Sequence, residues 1–178
     1  MELVFRHFRQ EHYREYAAWF ADADLARWLG PMDTDWLDAV LSEPDSEGVT
    51  WAVFRGEELV AVVETCFDPR DASLAYIRAI AVKPALRRQG IGSVLLLQLF
   101  DLHAQQGITA HITFISIRNP GSIRFLERLS FGRTPTEPNE RGYAEWRRAG
   151  SQQRGMDAGS QKPEPEFWAT QSGELNAP

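Results

Sequence analysis

The stretch that decides the fold covers residues 77–96 and reads IRAIAVKPALRRQGIGSVLL. Its first six residues are mostly aliphatic, which is typical of a buried strand. Pro84 ends this strand, because proline has no N–H to donate to a neighbouring strand. A polar turn with two arginines and two glycines follows, and from Ser93 an almost wholly apolar segment predicts a buried helix. A strand, a basic glycine-containing turn and a helix in this order predict an anion-binding site.

The anion-binding prediction depends on the first turn of this helix. The first N–H groups of a helix have no intrahelical acceptor, and the helix dipole places partial positive charge there. Gly90 and Gly92 lack the Cβ atoms that would keep a ligand away from these N–H groups. Arg87 and Arg88 add guanidinium groups whose fork geometry suits phosphate oxygens. A diphosphate is therefore the expected ligand.

Three phosphate-binding patterns can be compared with this turn. A P-loop is excluded because no lysine follows Gly92, and the dinucleotide fingerprint fits poorly because its third glycine would fall on Leu95. The third pattern, [RQ]-x-x-G-x-[GA], fits residues 87–92. With the V-x-P of residues 82–84 before it, the segment resembles the acyl-CoA-binding motif of the GNAT superfamily of N-acetyltransferases. The alternative to an acyl-CoA-binding site is a purely structural strand-to-helix turn whose arginines are exposed to solvent.

The resemblance implies an α/β (α+β) fold, with a mixed central sheet that splays after the fourth strand and helices on both faces. The hydrophobic pattern along the chain predicts the element order β-α-α-β-β-β-α-β-α-β-β, which agrees with this fold. One GNAT domain is expected over residues 1–148. Residues 149–178 are rich in Gln, Gly, Ser, Glu and Pro and predict a disordered tail. Phe167 and Trp168 are the tail residues that could dock on the domain or on a partner.

A second segment, residues 119–131, resembles the other signature of the superfamily, N-x-x-A-[IL]-x-[LF]-Y-E-[KR]-x-G-F. The resemblance implies that the Asn119 side chain contacts the pantetheine arm and that the following helix packs beside the thioester. Leu126 departs from the pattern, because many members carry there the tyrosine that protonates the departing thiolate. A leucine cannot donate a proton. A thiol pKa near 8.5 makes the thiolate a tolerable leaving group, and water, Ser116 or Ser122 could supply the proton.

The two motifs together imply a set of acyl-CoA-binding residues. They are Ile80, Ala81, Val82, Arg87, Arg88, Gln89, Gly90, Ile91, Gly92, Ser93, Asn119 and Leu126. The pantetheine is expected along the backbone of residues 80–82, where an N–H would polarise the thioester carbonyl. Glu64 is the candidate general base, as the one acid at the end of an aliphatic strand beside the cofactor strand. The structural alternative for Glu64 is a cross-strand ion pair, because strand counting places it opposite Tyr76 and diagonal to Arg78.

Composition narrows the class of function. The chain has 178 residues and a net charge of −6, which does not favour nucleic-acid binding and would suit a cationic acceptor. The single cysteine, Cys66, excludes an intrachain disulfide and a cysteine-based zinc site, and no metal site is expected. No signal peptide and no apolar run of about 20 residues is visible, so we expect a cytoplasmic protein that does not bind membranes. The four histidines, His7, His12, His103 and His111, share no spacing and receive no role.

The resemblance implies an N-acetyltransferase that moves an acetyl or other acyl group from acetyl-CoA to a primary amine of a small molecule or peptide. The alternative is an acyl-CoA-binding sensor or interaction module with little catalytic activity, which Leu126 favours. Three N-terminal tryptophans, Trp19, Trp28 and Trp36, are interpreted as core packing, with a substrate platform as the alternative. The sequence does not define the acceptor, and it neither establishes nor excludes a homodimer.

Overall fold

The computed structural model describes residues 2–30, 32 and 34–150. The strands are β1 (Val4–His7), β2 (Gly48–Arg55), β3 (Glu58–Asp68), β4 (Asp71–Val82), β5 (Ala110–Ser116), β6 (Gly132–Arg133) and β7 (Tyr143–Ala149). The helices are α1 (Gln10–Ala18), α2 (Ala23–Leu29), α3 (Thr34–Ser42), α4 (Ile91–Gln105) and α5 (Pro120–Arg128). The predicted tail, with Phe167 and Trp168, lies outside the described residues from position 151 onward. Among the helices described here, none has both the length and the apolar character needed to cross a bilayer.

The seven strands form one mixed sheet in the order β1-β2-β3-β4-β5-β7-β6. Strands β1 to β4 are antiparallel neighbours, whereas β5 is parallel to β4 and antiparallel to β7. Helix α4 makes the crossover that a parallel β4–β5 pair requires. The predicted mixed α/β sheet is therefore confirmed.

The sheet splays between β4 and β5. The two strands pair at three positions, from Leu74 opposite Ala110 to Tyr76 opposite Ile112. At the fork, the hydroxyl of Thr113 donates a hydrogen bond to the carbonyl of Ile77 at 2.9 Å. The C-terminal half of β4 consequently has an edge without a paired strand, and a cleft opens between the two strands.

Apolar cores cover both faces of the sheet. On one face, Leu95 and Leu99 of α4 are fully buried in a core shared with β2, β3, β4 and α5. On the other face, Tyr16 of α1 packs against Trp36 of α3, with ring centroids 5.3 Å apart. Trp19 is buried in this second core and Trp36 packs against it, as the core interpretation predicts. Trp28 departs from that interpretation, because among the described residues it belongs to neither core.

The N-terminal region has one more helix than the sequence predicts. Instead of two helices between β1 and β2, the described residues there form three, because α2 lies between the two predicted ones. The Asp22 carboxylate caps α2 by accepting a hydrogen bond from the Leu25 N–H at 2.9 Å, and Gly30 ends it with φ of 81°. At seven residues, α2 is too short to show a clear helical period.

The predicted pairing of Glu64 was wrong by several residues. Glu64 lies opposite Ala79, whereas Tyr76 lies opposite Cys66. The register differs because a bulge follows Glu64 and because the turn at Asp68 is irregular. The guanidinium of Arg78 contacts both carboxylate oxygens of Glu43, which ties the end of α3 to β4.

Two histidines that the sequence left without a role form a buried pair. His103 Nδ1 lies 3.0 Å from His111 Nε2, and the two rings are nearly parallel. Burial lowers the pKa of His103 to about 4 and that of His111 to about 3. Both imidazoles are therefore neutral at pH 7, and the pair links α4 to β5 inside the core.

Candidate functional site

A cleft of about 1000 Å³ lies where β4 and β5 diverge. Its walls are the C-terminal half of β4, the start of α4, the end of β5 and the first turns of α5. Helix α2 and the segment 139–143 before β7 complete the lining. The cleft is therefore a direct consequence of the splayed sheet.

The turn before α4 presents unbonded N–H groups to this cleft. Gly90 caps the helix in the left-handed region, with φ of 81°, and a side chain there would meet no atom within 4 Å. Among the residues that the structure describes, no acceptor bonds the N–H groups of Gly90, Ile91 or Gly92. Gly92 also lets α5 approach, since a Cβ there would lie 3.3 Å from the ring of Phe125. These features make the helix start suited to bind an anion.

The two arginines of the turn differ in their surroundings. Arg87 Nη1 lies 3.0 Å from Asp22 Oδ1, and its Nε donates to the carbonyl of Val82 at 3.4 Å. Arg87 thus ties α2 to the end of β4. Arg88 is exposed and adopts φ of 64°, an uncommon conformation for a residue with a side chain. Arg88 is therefore the more accessible cation of the two.

The free edge of β4 forms the floor of the cleft. The side chains of Ile80 and Val82 line it, whereas Ala81 is 1% exposed and packs into the core beneath α1 and α3. Pairing with β5 stops at Tyr76, so the backbone beyond it can bond an extended ligand in the manner of an added strand.

Helix α5 supplies the opposite wall. Asn119 caps this helix, because its Oδ1 accepts a hydrogen bond from the Ser122 N–H at 3.0 Å. Leu126 is 2% exposed and lines the cleft, as do the hydroxyl-bearing residues Ser116, Ser122 and Tyr143. Tyr76 lies elsewhere: its hydroxyl donates to Asp68 at 3.0 Å in a buried position.

The cleft brings together ten of the twelve residues that the sequence motifs implied. They are Ile80, Val82, Arg87, Arg88, Gly90, Ile91, Gly92, Ser93, Asn119 and Leu126. The side chains of Ala81 and Gln89 do not line it, because Ala81 faces the other side of the sheet and Gln89 is exposed on the turn. The two motifs thus lie around one cleft, and their role in binding acyl-CoA stays a prediction.

A family model described as "Acetyltransferase (GNAT) family" matches residues 6–131. The chain belongs to this family. The match covers both motifs and the strands β4 and β5 between which the sheet splays. It confirms the predicted superfamily, and with the fold it confirms an acyltransferase of the acetyl-CoA-dependent type.

Solved acetyltransferases share the fold of this GNAT chain at low identity. Aminoglycoside acetyltransferase AAC(6')-Ib in complex with coenzyme A and kanamycin is 15% identical with a TM-score of 0.70, covering 83% of this chain and 95% of that chain. Spermidine N-acetyltransferase from Vibrio cholerae, in complex with CoA and spermine, is 15% identical with a TM-score of 0.68, covering 82% and 92%. An acetyltransferase from Thermus thermophilus is 13% identical with a TM-score of 0.70, covering 84% and 97%. No curated protein sequence matches the chain.

Glu64, the candidate base of this GNAT chain, lies behind the cleft wall rather than in it. The carboxyl is 3% exposed and accepts a hydrogen bond from Trp36 Nε1 at 3.2 Å. Its neighbour across the strands, Ala79, does line the cleft. Burial raises the pKa of Glu64, and the positive charge of Arg78 offsets only part of that effect.

The charge of the cleft lining was not expected from the sequence. Seven arginines line it, Arg27, Arg78, Arg87, Arg88, Arg124, Arg128 and Arg141, with Asp24 as the one acidic residue among the lining residues described. The spacing of Arg124 and Arg128, four residues apart on a predicted helix, could have indicated a shared face. For Arg27 and Arg141 the sequence carries no comparable signal, because their approach to the cleft depends on the tertiary fold.

Proposed function

We propose that this protein transfers an acetyl or other acyl group from acetyl-CoA to a primary amine of a small molecule or peptide. The observation that carries the proposal is the row of unbonded N–H groups at Gly90, Ile91 and Gly92, at the mouth of a cleft floored by a free strand edge. Neighbours of the same fold were crystallised with coenzyme A and with kanamycin or spermine, which supports an amine as the acceptor class.

The binding residues fit the parts of coenzyme A. The helix start and the exposed guanidinium of Arg88 suit the diphosphate, and Arg87 lies beside them. The unpaired backbone of residues 80–82 and the side chain of Asn119 suit the amide-bearing pantetheine arm. Acetyl-CoA supplies the acetyl group as an activated thioester. A backbone N–H of β4 is suited to stabilise negative charge on the thioester oxygen.

Glu64 is the proposed general base, acting through one water. An ammonium acceptor must lose a proton before its nitrogen can attack, and a carboxylate whose pKa is raised by burial is a stronger base than an exposed one. The hydrogen bond from Trp36 fixes the carboxylate, and Ala79 leaves room on the cleft side. Glu64 thus combines basicity with a fixed position.

The proton for the departing thiolate has three candidate donors in the cleft: Ser116, Ser122 and Tyr143. Tyr143 joins the two serines named from the sequence, because it lies opposite Ser116 in the β5–β7 pair. Leu126 is buried at the position of the usual tyrosine, and this favours the second candidate function, an acyl-CoA-binding sensor or interaction module with little turnover.

Two measurements on the full chain test the proposal. Titration calorimetry with coenzyme A and acetyl-CoA measures binding, and release of free thiol in the presence of a panel of amines measures turnover. We expect binding of both and turnover with at least one amine. Tight binding without turnover on any amine would favour the sensor function, and absence of binding would overturn both.

A further inference from the structure

The cleft is lined from both faces of the sheet. On one face lie α4 and α5, whose residues Ile91 and Leu126 are buried in the core that these helices share with the sheet. On the other face lies α2, because its residue Leu25 is buried in the second core, with α1 and α3. All three of these residues line the cleft. The cleft therefore has an α4/α5 side and an α2 side.

The proposed cofactor site and the proposed base belong to different sides. Gly90 and Gly92 lie at the start of α4 and Asn119 at the start of α5, so coenzyme A would fill the α4/α5 side. Glu64 accepts its hydrogen bond from Trp36, which packs against the second core, as α2 does. An acceptor must reach the base and cannot share the volume of the cofactor. The acceptor amine is therefore expected on the α2 side.

Trp28 is the largest side chain that α2 contributes to the lining of the cleft. It is half-buried and belongs to none of the apolar cores that the described residues form, whereas Trp19 and Trp36 pack in the second core. An aromatic side chain gains much stability when it is covered, and ligand clefts are lined by aromatic side chains. A tryptophan that lies outside the cores and against a cleft thus indicates contact with a ligand.

Contacts at both ends of α2 hold this helix in place. The Asp22 carboxylate caps the helix and lies 3.0 Å from Arg87, which ties α2 to the end of β4. Gly30 ends the helix with φ of 81°. The guanidinium of Arg27 lies over the ring of Trp28, at 4.7 Å from its centroid. One face of the indole is thus covered by a cation, and a ligand would meet the other face or the edge.

The surroundings of Trp28 favour an apolar group over a charged one. Three apolar residues line the same side of the cleft: Leu25, Leu29 and Ala79. The formal charges that α2 brings to the lining, on Asp24 and Arg27, cancel. A second cation at the indole would be repelled by Arg27, whereas an aromatic ring would not. Aromatic pairs also gain more than the burial of their area provides.

We propose that the acceptor is a primary amine that carries an aromatic group, an arylalkylamine, and that Trp28 packs against this group. The inference rests on the proposed acetyl transfer and names its substrate class. The amino nitrogen would lie at the thioester and the aromatic group against α2. An acceptor with several ammonium groups is disfavoured, because it would bring further positive charge to a ring that already contacts Arg27.

The test compares amines that differ in one group, titrated calorimetrically into the full chain saturated with coenzyme A. Phenethylamine, 2-cyclohexylethylamine and ethylamine carry the same ammonium group with an aromatic ring, a saturated ring and no ring, and spermidine is the polycation. We expect phenethylamine to bind at least about threefold more tightly than 2-cyclohexylethylamine and at least about tenfold more tightly than the other two. A smaller preference over any of these amines, or no binding of phenethylamine, would overturn the proposal.

Matched substitutions identify the tryptophan. Trp28→Leu should abolish the preference for phenethylamine over 2-cyclohexylethylamine, whereas Trp28→Phe, which keeps an aromatic ring, should retain it. Trp51→Leu is the control, because Trp51 is also half-buried but lies outside the lining of the cleft, and it should keep the preference. Coenzyme A affinity and melting temperature of the variants verify the fold. An unchanged preference in Trp28→Leu, or an equal loss in Trp51→Leu, would overturn the assignment.

The proposed function can fail separately from this inference. If coenzyme A itself does not bind, the proposed acetyl transfer is wrong. The same amine titrations on the cofactor-free protein then still decide whether the α2 side selects an aromatic amine.

Discussion

The indole Nε1 of Trp36 donates a hydrogen bond to the carboxyl of Glu64 at 3.2 Å, which joins α3 to the strand next to the cofactor strand. Glu64 is 3% exposed, whereas Trp36 is half-buried. An N–H donor stabilises the ionised carboxylate, while burial destabilises it and dominates the raised pKa. The helix that contributes to one core therefore also orients the candidate base.

Replacing Glu64 by Gln should slow acetyl transfer strongly. The amide keeps the shape and can no longer accept a proton, so we expect kcat to fall by about 10²–10⁴-fold with little change in acetyl-CoA affinity. In the wild type, activity should fall as the pH drops through the raised pKa of Glu64. This loss of activity at low pH should be absent from the pH–rate profile of Glu64→Gln. Glu57→Gln, in the exposed β2–β3 turn, is the control. A kcat within threefold of wild type would rule out Glu64 as the base.

The same variant should show a pH-dependent gain in stability. A folded-state pKa raised above the unfolded value means that Glu64 favours the folded state below about pH 4.5 and that this contribution is lost as the pH rises through its folded pKa. We therefore expect Glu64→Gln to be more stable than the wild type at pH 8, with a difference that shrinks towards pH 4.5. Urea unfolding at both pH values measures it, and a pH-independent difference would contradict the buried carboxylate.

Replacing Gly90 by Asp should abolish binding of coenzyme A without unfolding the domain. Gly56, in the β2–β3 turn, is a matched control: it also has a positive φ, 62°, and open space at its Cβ position. We expect Gly90→Asp and Gly56→Asp each to lose about 1 kcal/mol of stability, since both force a side chain into the left-handed region. Calorimetry should detect coenzyme A binding in Gly56→Asp alone. Binding of similar affinity in both would place the diphosphate elsewhere.

Leu126 can be tested with two variants of nearly equal size. Leu126→Tyr and Leu126→Phe both overfill a buried position, so each should cost about 1–3 kcal/mol of stability. Only the tyrosine brings a hydroxyl that can protonate a thiolate, and we expect its kcat to exceed that of the phenylalanine variant. Steady-state thiol release measures both. Equal kcat values would show that another group, such as Tyr143, already supplies the proton.

The buried histidine pair should make the fold sensitive to acid. The folded pKa values of about 4 and about 3 lie below the ordinary value of 6.5, so stability is lost as the pH falls from about 6.5 towards these values. Between pH 7 and pH 5 the loss can reach about 4 kcal/mol, at about 1.4 kcal/mol per pH unit and histidine. The double variant His103→Leu/His111→Leu should lose less over this range, and His7→Gln, a half-exposed histidine, should behave as wild type. Urea unfolding at both pH values provides the comparison.

Local sequence patterns predicted most of the residues that line the cleft, because each motif is a continuous segment of the chain. The strand that ends at Pro84 and the glycines that open α4 are contiguous, so their chain order fixes their positions relative to each other. The register of β3 on β4 was less predictable. The irregular turn at Asp68 and the bulge after Glu64 together moved its partner from Tyr76 to Ala79, and such irregularities leave no clear signal in the hydrophobic pattern.

The sequence by itself determined the mixed sheet, the crossover helix, the glycine-rich anion turn and the absence of a tyrosine at Leu126. These features depend on residues that are neighbours along the chain or share a regular period. Only the tertiary structure decided which polar and charged side chains meet: Glu64 with Trp36, Arg78 with Glu43, His103 with His111, and seven arginines around one cleft. Glu64 and Trp36, and Arg78 and Glu43, are far apart in sequence, and the two histidines lie on different elements, α4 and β5. Their contacts arise from the way the helices and the turn before β7 pack around the splayed strands.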